Sequence, residues 1–342
     1  MMKKRMMTIL SLVFAMAFVM TGCAGSKLNA SETIAVLDET KNIRLGEFSL
    51  MLRYQQAQME TYYGSMLGGG IYQQEMPDTG EVYGDTAKRS QMEEFNLLYV
   101  LEAEAPNYGV TLTEEEKGAI TEAAKTFLDN NTPQFKKAVG AEQTDVEHLL
   151  TLLTLQNKMY DALTTDVDTG VSDEEAAQKR ISYAFISTTG TETDDEGNAI
   201  ELTEEEKAEK KAELQAVLDA AKEKGDLNAA AEEKENITVN TTTYGTDSSS
   251  PAEAVREAAD LLKDGEFAEL IEVESGYYAV QMVSTFDREA TDSRKEAIVQ
   301  ERKNTLYDEK CQELKDAHTF TTVDAVMAKL TFDQTFTLKV EQ

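Results

Sequence analysis

The chain has 342 residues, with 33 Lys and Arg against 64 Asp and Glu and a formal net charge of −31. So acidic a chain repels phosphate backbones and anionic headgroups, which excludes nucleic-acid binding and attachment to a membrane by charge. Two cysteines, two histidines and no tryptophan leave no disulfide framework or zinc cluster, and argue against an aromatic sugar platform.

In chain order, Lys3, Lys4 and Arg5 precede an apolar run from Met6 to Met20, and Thr21-Gly22-Cys23 follows. A basic start, a short apolar core and small residues before a cut describe a secretory leader. The run falls short of the roughly 20 apolar residues of a spanning helix. The approach to Cys23 resembles a lipobox. The expectation is therefore that residues 1–22 are removed and that Cys23 receives lipid, anchoring the chain to the outer face of the cell membrane rather than spanning it. The remaining 320 residues carry 30 basic and 64 acidic side chains, a net charge of −34. That length suggests about two domains.

Residues 23–32 are small and polar and read as a tether. Ile34-Ala35-Val36-Leu37 is a strand candidate, followed by a turn over 38–42. Leu45 to about Tyr63 predicts a helix, with Phe48, Met51, Leu52 and Met59 on related faces. Residues 64–86, with Gly68-Gly69-Gly70, Pro77 and Gly80, predict a long flexible loop carrying Met66, Tyr72, Met76 and Tyr83. Helix resumes over 87–104. Thr113 with Glu116, Ser172 with Glu175 and Thr203 with Glu206 are capping boxes, in which the N-cap hydroxyl and the carboxylate three residues on each accept a backbone amide. Apolar stripes at Ile120, Ala124, Phe127 and Leu128, then at Val146, Leu149, Leu150 and Leu153, extend the helices to about Leu163.

Ile181 to Ser187 reads as a strand, residues 188–201 as an acidic surface insertion, and the stretch around Leu214 to Ala221 as a helix. Ile237 to Tyr244 alternates at period two. A short helix over Pro251 to Lys263 stops at Asp264-Gly265, and Leu270–Val273 and Tyr277–Val283 flank the turn Glu274-Ser275-Gly276 as a hairpin. Residues 289–317 predict a long charged helix, and Thr331 to Val340 an edge strand. The fold class is α+β: a helical lobe, then a β-α-β-α-β-β module, then a helix returning to the lobe. The boundaries are 1–22 leader, 23–32 tether, 33–170 helical lobe, 171–287 module, and 288–342 C-terminal helix and tail.

No phosphate loop, nucleophile elbow or His-Glu-x-x-His run appears, and His148 and His318 stand alone in sequence. Cys311, at helical spacing with Tyr307 and Leu314, reads as a core residue. These observations imply no cofactor and no metal.

Two regions resemble the parvulin-type extracytoplasmic foldases, the PrsA/SurA-like peptidyl-prolyl isomerase group. The first is Ile34-Ala35-Val36-Leu37 with Arg44-Leu45-Gly46-Glu47-Phe48, then Leu97 to Glu104 and Tyr108-Gly109-Val110-Thr111-Leu112-Thr113-Glu114-Glu115-Glu116, which is similar to the family's chaperone lobe. Val171-Ser172-Asp173-Glu174-Glu175 is similar to the phrase leading into its isomerase domain. The second is Ser182-Tyr183-Ala184-Phe185-Ile186, with Ala258 to Glu266 and Val273 to Val280, which is similar to the opening strand and the ending of a parvulin domain. The resemblance implies a SurA-like helical lobe with an inserted parvulin-like domain.

It also implies where the site would lie. The family's two His positions fall on Tyr183 and Tyr278, its proline-pocket positions on Pro251 and Val255, and a further Phe position on Asp260. Phe185 and Met282 are the other expected binding positions on the same strands. The domain thus lacks the His pair. Either Tyr183 and Tyr278 supply hydroxyls to a rebuilt isomerase site, or they are ordinary strand aromatics.

A chaperone needs no such site. It needs adaptable apolar surface, for which methionine is suited. Four of the eight Met residues after the leader lie between Met51 and Met76, beside Tyr54, Tyr62, Tyr63 and Tyr72. Residues 54–85, with Met66, Tyr72 and Met76, are the expected contact surface for unfolded secreted proteins. Three readings follow: a lipid-anchored folding factor with weak or absent isomerase activity, an active isomerase with a Tyr-based site, and a non-catalytic adhesin or assembly lipoprotein.

Overall fold

The structure is a computed structural model that describes residues 18–21, 28–67, 70–193, 199–232, 234 and 236–339. Cys23, the expected lipid site, lies outside the described residues. The chain divides into two compact units, Met1–Asp166 with Asn304–Gln342, and Val167–Lys303. In chain order the strands are β1 (Phe18–Thr21), β2 (Thr33–Leu37), β3 (Lys41–Arg44), β4 (Lys179–Ser187), β5 (Thr189–Thr193), β6 (Ala199–Glu201), β7 (Val239–Tyr244), β8 (Ile271–Val273), β9 (Gly276–Ser284), β10 (Phe320–Thr322) and β11 (Thr335–Leu338). The main helices are α1 (Leu45–Leu67), α2 (Tyr83–Glu104), α3 (Glu114–Asn130), α4 (Pro133–Val139), α5 (Gln143–Leu163), α6 (Glu204–Lys224), α7 (Leu227–Ala231), α8 (Glu253–Asp260) and α9 (Arg288–Ala317).

The first unit is mainly helical, and its larger apolar cluster gathers residues from several helices. Phe48 and Leu52 of α1, Phe95, Leu98 and Tyr99 of α2, and Val146 and Leu152 of α5 are all essentially inaccessible to water. Within α1 and α2 they recur at three- and four-residue spacing, so each of these helices turns one apolar stripe inward. The Thr113–Glu116 box is formed on α3, with both reciprocal hydrogen bonds present. The sequence reading missed a second box, in which the Asp145 carboxylate accepts the Glu142 amide at 2.7 Å ahead of α5. Asp145 is fully buried and also takes the Arg44 guanidinium at 2.6 Å. Gly46 makes room for this arrangement, since a Cβ there would sit 2.6 Å from the Asp145 Oδ2.

The turn after β2 is tighter than the predicted 38–42. Asp38 and Glu39 take positive φ, and the chain returns at once as β3. β10 adds to the other edge of β2 (Phe320 opposite Leu37), and β11 lies along α1 and pairs antiparallel with β1. The tail strand was legible from its alternation. β10 was not, because it is only three residues long. The described residues of 64–86 hold more regular structure than the predicted loop. α1 runs on to Leu67, Ile71–Gln73 forms a 3-10 turn, Glu75 bridges Val82, and α2 begins at Tyr83.

The second unit is a four-stranded antiparallel sheet in the order β7-β4-β9-β8. α6 and α7 cover one face through Leu214, Val217, Leu218 and Leu227, against Ala184, Ile186, Tyr277 and Ala279. α8 covers part of the other through Val255 and Ala259, against Ile181, Val280 and Met282. The alternation along β4 and β9 that predicted strands also sorts these residues between the two faces. Within the expected acidic insertion, β5 and β6 pair as a small hairpin.

Candidate functional site

In the second unit, β4 and β9 set the geometry of the sheet surface. Tyr183 stands opposite Val280, and Phe185 opposite Tyr278, so Tyr183 and Tyr278 are diagonal neighbours on the face that α8 only partly covers. Their ring centroids are 5.8 Å apart at 50°, and Phe185 packs on Tyr278 at 4.6 Å. All three rings are half-buried. Burial and the neighbouring Tyr183 raise the Tyr278 phenol above its ordinary value, so the Tyr278 hydroxyl is neutral here rather than a base. Val255 and Met282 lie beneath them, fully buried in the core. Pro251 is buried and its carbonyl accepts the Arg256 Nε at 3.1 Å. Asp260 accepts the Lys179 ammonium at 2.8 Å and the Tyr244 hydroxyl at 2.7 Å. Burial alone would raise the Asp260 carboxyl, and these two partners outweigh it and hold it below the usual range.

The first unit carries an open groove of about 500 Å³ between the C-terminal half of α1 and the start of α2. Met59, Tyr62 and Tyr63 line one side, and Tyr72, Tyr83 and Ala87 the other. Tyr62 is 63% exposed and Met66, one turn on, is 72% exposed. Tyr72 is instead buried, its ring stacked on Phe332 at 4.3 Å and tilted against Tyr83 at 5.2 Å. It forms the floor of the groove, and burial raises its phenol well above the ordinary value. Met76 is half-buried at the head of a turn, its carbonyl accepting the Gly80 amide at 2.8 Å and its amide donating to Glu81 at 2.8 Å. The structure therefore brings Tyr72 into the groove wall, leaves Met66 on the adjoining surface, and places Met76 in the turn that leads into α2.

A polar cluster sits in the same unit. His148 Nδ1 lies 3.1 Å from Glu47 and its Nε2 2.7 Å from Glu102. The Tyr99 hydroxyl donates to Glu47, and Lys41 meets Glu102 at 3.1 Å. Burial alone would lower the His148 imidazole; the hydrogen bonds it donates to both carboxylates, and their charge, outweigh burial and push it up to about 9. The imidazole is thus a half-buried cation set between Glu47 and Glu102. Among the described residues no group of three His, Cys, Asp or Glu side chains is arranged to hold a metal ion. Cys311 is buried and its thiol is raised by burial, which disfavours the thiolate a nucleophile requires.

No family model matches the chain and no curated protein matches it. Solved structures do match. The foldase PrsA of Lactococcus lactis is 17% identical, with 87% of this chain and 97% of that chain covered and a TM-score of 0.37. PrsA of Bacillus cereus, described as a peptidylprolyl isomerase, is 15% identical over 70% of this chain and 87% of that one, with a TM-score of 0.31. A Campylobacter jejuni structure, from work describing PEB4 and Cj1289 as structurally related SurA-like chaperones, is 12% identical over 86% and 99%, with a TM-score of 0.30. The structural neighbours are PrsA/SurA-like foldases and peptidyl-prolyl isomerases.

Reading the sequence alone missed the His148 cluster and the Phe332 ring that stacks on Tyr72. His148, Glu102 and Glu47 are separated by 46 residues or more, and only the crossing of α1, α2 and α5 joins them. One signal was present: His148 falls within one turn of the apolar stripe Val146, Leu149 and Leu150, where an isolated His needs a partner.

Proposed function

We propose that this chain is an extracytoplasmic protein-folding factor, anchored by lipid on Cys23, whose helical lobe holds unfolded secreted proteins and whose parvulin-like module has weak or no isomerase activity. The observation that carries the reading is the groove lined by Tyr62 and Tyr63, with Met66 on the adjoining surface, three large side chains left open to solvent on one stretch of α1. Exposed apolar groups clustered on one surface mark binding sites. Tyrosine brings broad contact at low entropic cost, and methionine adapts to varied partners. The strong negative charge keeps such a surface from joining copies of the chain.

The processed chain, added to a chemically denatured secreted protein, suppresses its aggregation. Tyr62→Ser with Met66→Ser weakens the suppression several-fold without moving the melting transition, because both side chains are mostly outside the core. Unchanged suppression by that variant overturns the assignment of the groove. Deleting residues 64–85 is a poorer test than the sequence suggests, since it removes the buried, stacked Tyr72.

A second reading rests on the sharing of one sheet face by Tyr183 and Tyr278. An isomerase must favour the twisted over the planar peptide, with an apolar pocket for the ring and aimed hydrogen bonds. Val255 and Met282 are buried and Asp260 is held by Lys179 and Tyr244, so the expected pocket positions offer no apolar seat to a proline. We therefore favour the non-catalytic form. Selective binding of one folded partner, with no affinity for denatured protein, would instead support an adhesin or assembly role.

A further inference from the structure

We propose that the edge of β11 opposite α1, with the apolar well beside it, is a second client site that takes an extended segment bearing an aromatic side chain, and that the leader strand Phe18–Thr21 fills it until processing. The proposal rests on the folding-factor reading and on removal of residues 1–22.

β11 has two edges. One faces α1, where Glu60 accepts the Phe336 amide at 2.6 Å, Thr61 accepts the Leu338 amide at 2.8 Å, and Gln56 donates to the Gln334 carbonyl at 2.7 Å. The other edge is covered by β1, from Phe18 opposite Leu338 to Thr21 opposite Thr335. The Phe18 side chain is 4% exposed. Its ring stacks on Phe135 at 4.5 Å and meets Phe127 and Tyr54 edge-on at 6.0 and 6.4 Å. Its amide donates to the buried Asn131 Oδ1 at 2.9 Å. Next to the ring an apolar cavity of about 290 Å³ continues the well between α1, α3 and α5.

Cleavage before Cys23 detaches this whole strand. It leaves an unpaired ladder beside a well lined by Phe127, Phe135 and Tyr54, with Asn131 at the rim. A strand edge next to a side-chain pocket is the arrangement by which extended peptides are recognised: backbone pairing gives affinity and the pocket gives selectivity. The leader shows what fits, an aromatic residue at the well followed by three residues in ladder register.

Two other occupants are disfavoured. The described part of the tether, residues 28–32, is engaged elsewhere, with Leu28 in the core and the carbonyls of Ala30 and Glu32 accepting the Gly46 and Leu45 amides. A second copy would bring another net charge of −34 to the same edge.

The test is a fluorescein-labelled peptide of sequence Ala17–Gly22, titrated by anisotropy against the processed chain made unlipidated by Cys23→Ser, and against the full-length chain. The processed chain binds it saturably. The full-length chain, its slot covered, binds about tenfold or more weakly, and a peptide carrying Phe18→Ala or N-methylated at alternate residues loses a similar factor. Absence of saturable binding, insensitivity to Phe18→Ala, or equal binding by the full-length chain overturns the proposal. So does unfolding of the processed chain in circular dichroism, which would make the strand an obligatory part of the core. Dimerisation of the processed chain that the peptide reverses assigns the slot to a second copy and likewise overturns it. Aggregation suppression that persists without peptide binding sinks this site alone and leaves the Tyr62 groove standing.

Discussion

Replacing His148 separates a buried ion cluster from ordinary helix packing. The side chain is 25% exposed and lies between Glu47, 3% exposed, and Glu102. Its imidazole ionises near 9 in the fold against about 6.5 in an open chain. Between those values the folded chain holds a proton that the unfolded chain has released. The stabilisation is therefore complete below about pH 6.5 and is lost as pH rises through 9. Two and a half pK units correspond to about 3 kcal/mol. Glu102 acts in the opposite sense. Burial would raise its carboxyl, but His148 and Lys41 hold it below the ordinary range, so its contribution is present above that range and fades in acid. Stability contributed by the cluster should peak between about pH 5 and 6.5. His318, paired with Asp38 and Glu104 and also raised, adds an alkaline loss of its own, so the informative quantity is a difference between variants. In urea unfolding, His148→Gln should cost about 3–5 kcal/mol at pH 6, because the buried Glu47 loses its cation and Glu102 keeps only Lys41, and should flatten the decline between pH 6.5 and 9. A variant that loses under about 1 kcal/mol, or keeps the native alkaline slope, refutes this description of the cluster.

Three further outcomes are expected. Gly276 has φ 154°, and a Cβ there would lie 2.1 Å from the Ile186 carbonyl, so Gly276→Ala should destabilise the sheet unit by about 2–4 kcal/mol; an unchanged melting transition would show that the β8–β9 turn relaxes freely. Tyr183→Phe and Tyr278→Phe should leave a proline-peptide isomerisation assay at the level of the native chain, and a clear loss of turnover in both would establish the Tyr-based site instead. Mass spectrometry of the chain from cells should find lipid on residue 23 and no residues 1–22, whereas Cys23→Ala should retain the leader. An unlipidated native N-terminus would remove the anchor.

Much of the fold was legible because it rests on local chemistry. The Thr113 and Thr203 boxes, the stripes of α3 and α5 and the turn before β9 are each written within a few residues. What was not legible depends on contacts far apart in sequence. α1 continues to Leu67 although Gly64 and Gly68-Gly69-Gly70 signal a break, and the 3-10 turn after it is pinned by stacking of Tyr72 on Phe332, 260 residues away. The sheet surface shows the same division. Alternation along β4 and β9 placed Tyr183, Phe185 and Tyr278 on one face, whereas nothing local to Asp260 indicated that Lys179 and Tyr244 would bind it. Nor did the leader's composition indicate that Phe18 would have a well to enter.

The most direct trial of the folding-factor account puts a photoactivatable phenylalanine analogue at position 62 in the groove, and, as a control, at position 261, where Leu261 is 87% exposed in the other unit. The account predicts that position 62 crosslinks a denatured secreted protein and not its folded form, while position 261 crosslinks neither. Equal labelling at both positions, or labelling of the folded form alone, would contradict it.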